Sequence, residues 1–499
     1  MPIFQNKSLK TYVWLIVITS AVLRLPLLTN SFWLDEAAQA LESARPLAQQ
    51  LNIRDDFQPP LLHLITFAAI RFSTAEWWLR LWGAILPGLV TVLYTYKIGT
   101  QIFSKKAGVI AALLLATSSL HIFFSQELRP YSLPTMWAVL SSYALLTWLN
   151  EKKQNRTSLI FFALYSIAGL YSSYLYPFLI IGQATWVAIT KKDRFLAFLT
   201  SLVVTGISFL PWLPKFLEQL SAGTQVRVEL PGWEAVVSIP QLKTIPLVIA
   251  KFIFGVIPVD FNVPFIAITT VILAAIAYVS LAAFSQQRKG YLIITLWLVV
   301  PLTTAWIISF WVPVIQPKRV LFLLPALYLL AGAGITHALK QKQTILRYTG
   351  VGLFALLLSL NLSGTLRYYT DPTLQRENWR ALHTQILRQY PAGKSVVVFS
   401  FPGPFPPWTW YDDGAYPTLS TGKLSVSDVP DLPNLLKTAT DKEYILVFDY
   451  LRDLTDPKNE IPRALESLGF YERHSIDYPN IGFVRVFTRQ ATILSTTRL

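Results

Sequence analysis

Cysteine is absent from the 499-residue chain, which excludes a disulfide framework, thiol catalysis and a thiolate metal site. Charge is scarce as well: Asp, Glu, Lys and Arg together make up 14% of the residues, where a soluble domain carries roughly a quarter. There is no Gly-rich phosphate loop, no Gly-x-Ser-x-Gly elbow, no His-x-x-x-His pair and no nucleic-acid module, so those classes lose their signatures. Repeats of solenoid type are missing too. The first apolar run has no small-residue cleavage site and leads straight into acidic, aromatic sequence, so it is expected to stay with the chain.

What is present is hydrophobic. Apolar residues make up 53% of the chain, mean hydropathy is +0.44, and runs of roughly 17–22 residues recur down its first three quarters, each long enough to cross a hydrocarbon core. The reading is a polytopic α-helical membrane protein. The net charge of +15 does not call for nucleic acid, because the Lys and Arg residues sit in short clusters between apolar runs, as a topology signal does.

Spans are expected near residues 12–28, 79–98, 107–124, 132–149, 159–174, 176–190, 195–213, 263–284, 291–314, 320–339 and 345–363, about eleven or more crossings at roughly 20 residues each. Lys7 and Lys10, Lys105-Lys106, Lys152-Lys153, Lys191-Lys192, Arg288-Lys289 and Lys340/Lys342 then lie inside. Residues 29–78 become an outer loop with interfacial helices, and 214–260 a second outer loop. The apolar piece 244–258 is read as interfacial or re-entrant, since a crossing there would put Arg288-Lys289 outside. From residue 364 the sequence is mixed and polar, with strand-like runs at 395–400, 444–449 and 482–488 and helical patterns at 376–390 and 461–468. This predicts a soluble α/β domain over 364–499, on the outer side, behind a membrane domain over 1–363.

Three polar constellations fall on the predicted outer face. Asp35-Glu36 follows Phe32-Trp33 at an expected helix start. Either these are first-turn acids favoured by the helix dipole, or Asp35 is held ionised there as a base. Gln126-Glu127-Leu128-Arg129-Pro130-Tyr131 offers a guanidinium that can fork onto a phosphate; its alternative is a snorkelling arginine paired with Glu127. Lys318-Arg319 runs against the positive-inside trend, which favours anion binding over a plain interfacial anchor. Gln58-Pro59-Pro60 stiffens the approach to the short apolar piece 61–72. His63 is read as a packing or interfacial residue and Arg24 as a snorkelling group or an added positive charge.

Phe32-Trp33-Leu34-Asp35-Glu36, Gln58-Pro59-Pro60-Leu61 and the 126–131 motif, in this order, resemble glycosyltransferase family 39, of the C-type superfamily with the protein O-mannosyltransferases and the lipid A aminoarabinose transferase. Arg319-Val320-Leu321-Phe322-Leu323-Leu324-Pro325 looks like that family's late Arg-containing span. The resemblance implies a C-type glycosyltransferase architecture in a membrane of the bacterial inner type, with the active site on the outer side. It implies inverting transfer of a sugar from a polyprenyl-phosphate carrier to a lipid, glycan or protein acceptor. By motif, Asp35 is the general base with Glu36 as its neighbour or a metal contact, and Arg129, Lys318 and Arg319 meet the donor phosphate. Gln58, Glu127, Tyr131 and Asp56 support them. No cofactor is required. A divalent metal stays an open but unsupported option, because Phe57-Gln58 stands where the aminoarabinose branch has Glu-Lys; Asp55 and Asp56 could compensate. The alternative from another class is a transporter or flippase of a lipid-linked anion, which calls for charged spans and broken helices in symmetric halves.

Overall fold

The structure, a computed structural model, describes residues 4–53, 56–151, 156–229, 241–258 and 262–489. Asp55, Lys152-Lys153 and residues 230–240 of the second expected outer loop lie outside them. The chain divides into two units, one drawn from Met1–Thr29, Ser43–Gln219 and Ser238–Leu374, the other from Asn30–Glu42, Leu220–Val237 and Gln375–Leu499.

In the first unit a helix occupies every apolar run that was read as a span. Among the described residues, six stretches are long and apolar enough to cross a bilayer by length and composition: Glu76–Ile102, Lys192–Gln225, Val263–Phe284, Arg288–Ile308, Leu321–Ala338 and Thr344–Thr370. Others are shorter, such as Arg156–Leu170 and Tyr176–Thr190 at 15 residues each. With apolar surroundings on all sides, such helices associate by close van der Waals packing, which favours small residues at the contacts. The helix Leu324–Ala338 is buried along its whole length. A Cβ on its Gly332 would lie 2.8 Å from the Ala107 carbonyl oxygen, and one on Gly99 would lie 2.7 Å from Gly108 Cα.

Two features depart from the expected spans. The run 107–124 is two helices, Lys105–Thr117 and Ser119–Phe124, because Ser118 is extended (φ −62°, ψ 117°). Backbone groups near such a break need partners inside the protein. Thr365 Oγ1 donates to the Thr117 carbonyl at 3.1 Å and Asn361 Nδ2 to that of Leu114 at 2.9 Å. The last apolar helix also runs on from Thr344 to Thr370, past the boundary placed at 363/364. The piece 244–258 lies mostly within a helix, Gln241–Phe254, that contains Pro246.

The second unit is built on a five-stranded sheet: β1 (Ser395–Phe399), β2 (Thr418–Ser420), β3 (Tyr444–Phe448), β4 (Tyr471–Tyr478) and β5 (Gly482–Thr488). Its order is β2-β1-β3-β5-β4. β1 pairs in parallel with both β2 and β3, and β5 runs antiparallel to β3 and β4. Alternate residues feed two cores, as a strand's period of two dictates. Val397, Phe399, Leu446 and Phe448 meet Trp379, Phe405 and Trp408 on one face; Val396, Val398, Ile445 and Val447 meet Leu436, Ile461 and Leu465 on the other. The helices Trp379–Gln389 and Glu460–Ser467 lie where the sequence placed helical patterns.

Candidate active site

The first unit gathers one polar cluster around Arg129. Its loop follows the helix Ser119–Phe124 and is pinned on two sides. Gln126 Nε2 donates to the carbonyls of Arg24 (2.9 Å) and Pro26 (2.5 Å), and Ser132 Oγ donates to the Ala84 carbonyl at 2.9 Å. Gly83 leaves room for the fully buried Leu128, whose Cδ1 would stand 2.8 Å from a Cβ there. So held, Arg129 presents both terminal nitrogens to Asp56: Nη1 to Oδ2 at 2.8 Å and Nη2 to Oδ1 at 3.0 Å. The two side chains are only 12% and 11% exposed. This is the planar, two-point geometry in which a guanidinium holds a carboxylate or a phosphate.

Asp56 is itself fixed from several directions. Gln58 Nε2 donates to Asp56 Oδ2 and lies 2.8 Å from His63 Nε2, and His63 Nε2 stands 3.6 Å from Asp56 Oδ2. Gln219 Nε2 donates to the backbone carbonyls of Ile53 (2.9 Å) and Asp56 (3.1 Å), while Tyr174 donates its hydroxyl to Gln219 Oε1 at 2.6 Å. Burial works to raise the Asp56 pKa, but the Arg129 guanidinium, helped by His63, overcomes it and holds the carboxyl well below the usual carboxylate range. A divalent cation on these oxygens would face a full guanidinium charge that both oxygens already accept from.

Of the other residues expected at the phosphate, Lys318 holds its Nζ 5.6 Å from the centre of the buried Tyr131 ring. Arg319 donates through Nη1 to the carbonyls of Pro313 (3.2 Å) and Val314 (3.4 Å). Glu127 is buried. Arg24 is fully buried and donates to Ser20 and, from Nη2, to His121 Nδ1 at 2.8 Å. Neither His63 nor Gln219 was singled out as a site residue from the sequence. His63 lacks metal-ligand spacing, and Gln219 lies more than 150 positions from Ile53 and Asp56.

Asp35 and Glu36 belong to the second unit. They occupy the first turn of the helix Leu34–Ala44, where a dipole stabilises carboxylates. Successive helical residues point about 100° apart, so the pair divides: Glu36 is fully buried and Asp35 half-buried. The preceding residues are held by groups from beyond residue 374. Phe32 N donates to the Tyr411 hydroxyl at 2.7 Å, the Arg376 guanidinium lies 4.1 Å over the Trp33 ring, and Ser31 Oγ donates to the Glu377 carbonyl at 3.3 Å. Glu377 was not singled out, since nothing in its local sequence marks it.

The fold is that of the C-type membrane glycosyltransferases. ArnT from Cupriavidus metallidurans, solved bound to undecaprenyl phosphate, superposes with a TM-score of 0.64 at 12% identity, over 98% of this chain and 99% of that one. The archaeal oligosaccharyltransferase AglB from Archaeoglobus fulgidus, in complex with an inhibitory peptide and a dolichol-phosphate, gives 0.55 at 12% identity over 99% and 75%. The Archaeoglobus fulgidus oligosaccharyltransferase in complex with zinc and sulfate gives 0.53 at 13% identity over 95% and 72%. Residues 58–215 match the family model of the dolichyl-phosphate-mannose-protein mannosyltransferases, which bears out the resemblance read from the motifs. A search of curated protein sequences gives no match.

Proposed function

We propose that the chain is an inverting membrane glycosyltransferase that moves a sugar from a polyprenyl-phosphate carrier to an acceptor on the outer face of the membrane. The observation that carries the reading is the family match over residues 58–215, which takes in both Gln58 and the Arg129 loop. The chain is an integral membrane protein, and the bacterial inner membrane is its proposed site, with Gln375–Leu499 outside.

The chemistry follows from the leaving group. When the acceptor oxygen attacks the anomeric carbon, the bond from that carbon to the phosphate oxygen breaks and polyprenyl phosphate departs as an anion. It needs positive charge more than a general acid. Arg129 is assigned to that phosphate, with Lys318 and Arg319 as further cations and Asp56, Gln58, Glu127 and Tyr131 as supports. Asp35 is assigned the proton of the acceptor hydroxyl, a base's role that an ionised carboxylate can fill, and Glu36 the place of its neighbour. In-line displacement inverts the sugar carbon. These roles use the chain's own side chains alone.

The test is transfer from a radiolabelled polyprenyl-phosphate sugar by purified protein. Asp35→Asn is expected to abolish transfer while donor binding and the thermal midpoint stay at wild-type values. Full activity in that variant would sink the base assignment.

A further inference from the structure

In the second unit β1 is flanked by β2 on one side and β3 on the other, both parallel to it. The connections leave in opposite directions there, and in open α/β sheets the crevice at the carboxyl ends of such strands is where ligands bind. Here the groups that follow β1 and β3 meet the chain's own segment instead. Beyond β1, Tyr411 accepts from Phe32 N at 2.7 Å, and the Trp410 ring centre lies 5.7 Å from that of Phe32. Beyond β3, Tyr450 donates its hydroxyl to Glu377 Oε1 at 3.1 Å. The same Glu377 carboxyl receives the backbone N–H of Leu34, the first residue of the helix that bears Asp35.

A helix's first N–H groups have no partner within the helix and are satisfied from outside. Ala37 N, bonded to the Trp33 carbonyl at 3.0 Å, belongs to that first turn, so the Leu34 N–H precedes the regular ladder. We propose that Glu377, braced by Tyr450, is the positioning residue for Asp35, and that this end of the sheet serves as a clamp on Ser31–Asp35. The inference rests on the reading of Asp35 as base. A carboxyl anchored at the amino end of a helix fixes the rotation of its first turn, and with it the direction of a side chain one residue on. Burial, with Asp35 beside it, raises Glu377 to about 7, against the opposing pull of Arg376 and the Tyr450 hydroxyl. Near neutral pH it therefore caps the helix while carrying only part of a second negative charge next to Asp35. Arg376, Asp35 and Tyr450 are the charged and titratable groups acting on it from its own segment, the helix and the loop after β3.

Three variants of the full-length protein in detergent test the clamp. In Glu377→Ala, deuterium uptake by the peptide covering residues 30–42 should rise about tenfold in rate, and kcat should fall about tenfold with the donor KM within about twofold. Glu377→Gln keeps an acceptor for Leu34 and a partner for Tyr450, so it should restore protection and most of kcat. Unchanged uptake in Glu377→Ala, or a loss confined to donor KM, would overturn the proposal. If that variant does not fold, Tyr450→Phe removes the brace alone and should lower kcat severalfold; wild-type kcat and uptake there would overturn it equally. The exchange measurement uses no substrate. A fully active Asp35→Asn would thus remove the base assignment while the clamp stood or fell on uptake.

Discussion

Arg129 and Asp56 share two hydrogen bonds, 2.8 and 3.0 Å, with side chains that are 12% and 11% exposed. A pair this well shielded behaves as a unit. Removing the acid leaves a guanidinium with its charge uncompensated, which typically costs about 3–5 kcal/mol.

Asp56→Asn is therefore expected to lower the thermal midpoint in detergent. If Arg129 also meets the donor phosphate, an added anion takes over part of the lost partner's work. The midpoint should then rise more on adding polyprenyl phosphate in Asp56→Asn than in wild type. An equal rise in both proteins would separate Arg129 from the phosphate.

Much of this molecule was legible because hydropathy and turn chemistry act locally. The apolar runs became helices, and Ser395–Phe399, Tyr444–Phe448 and Gly482–Thr488 lie on the strand-like runs within a residue. Asp35 and Glu36 stand in a first turn, at the helix start expected after Phe32-Trp33. The misses came from long-range partners. Ser118 interrupts a run whose composition is uniformly helical, and what surrounds the break is supplied by Asn361 and Thr365, over 240 positions away. β4 is exposed along most of its length, so Tyr471-Glu472-Arg473-His474 lacks the apolar alternation of a strand. Glu377 meets Ser31 across 346 positions, and no local pattern could announce that.

Arg24 offers a test of the loop that carries Arg129. Its guanidinium donates to the Ser20 carbonyl (2.8 Å), to Ser20 Oγ (2.7 Å) and to His121 Nδ1 (2.8 Å), and the Gln126 side chain donates to Arg24's own carbonyl. Lysine keeps the charge but not the fork. Arg24→Lys should lose at least one charged hydrogen bond, worth roughly 1.5–3 kcal/mol, seen as a lower thermal midpoint. A midpoint equal to wild type would mean the three contacts contribute nothing beyond charge.

Gly108 and Gly206 form a matched pair. A Cβ on Gly108 would lie 2.5 Å from the Tyr96 carbonyl oxygen and 3.0 Å from the Thr100 backbone nitrogen, whereas one on Gly206 meets nothing within 4 Å. Backbone cannot step aside as a side-chain tip can. Gly108→Ala should therefore destabilise by about 1–3 kcal/mol, as overpacking does. Gly206→Ala, inside the helix Phe195–Phe209, should be neutral or gain up to about 1 kcal/mol from helix propensity. The order of the two thermal midpoints decides it; Gly108→Ala at or above Gly206→Ala would contradict this packing.

Glu377 sets a pH dependence of definite sign. Its folded pKa is raised, by burial first and Asp35 also, from 4.5 to about 7, so the folded state holds the proton more tightly than the unfolded chain. For a carboxyl shifted upward, the favourable contribution is complete below about pH 4.5 and declines as pH climbs towards 7. A gap of this size amounts to at most roughly 3–4 kcal/mol, at 1.36 kcal/mol per pH unit. Asp56, depressed by Arg129 against the effect of burial, stays ionised throughout that window and adds no slope. Wild type should therefore lose more stability than Glu377→Gln between pH 5 and pH 8, the difference between the two proteins cancelling what the histidines contribute. Parallel midpoint curves for the two would show that Glu377 titrates in the folded protein as it does in the unfolded chain.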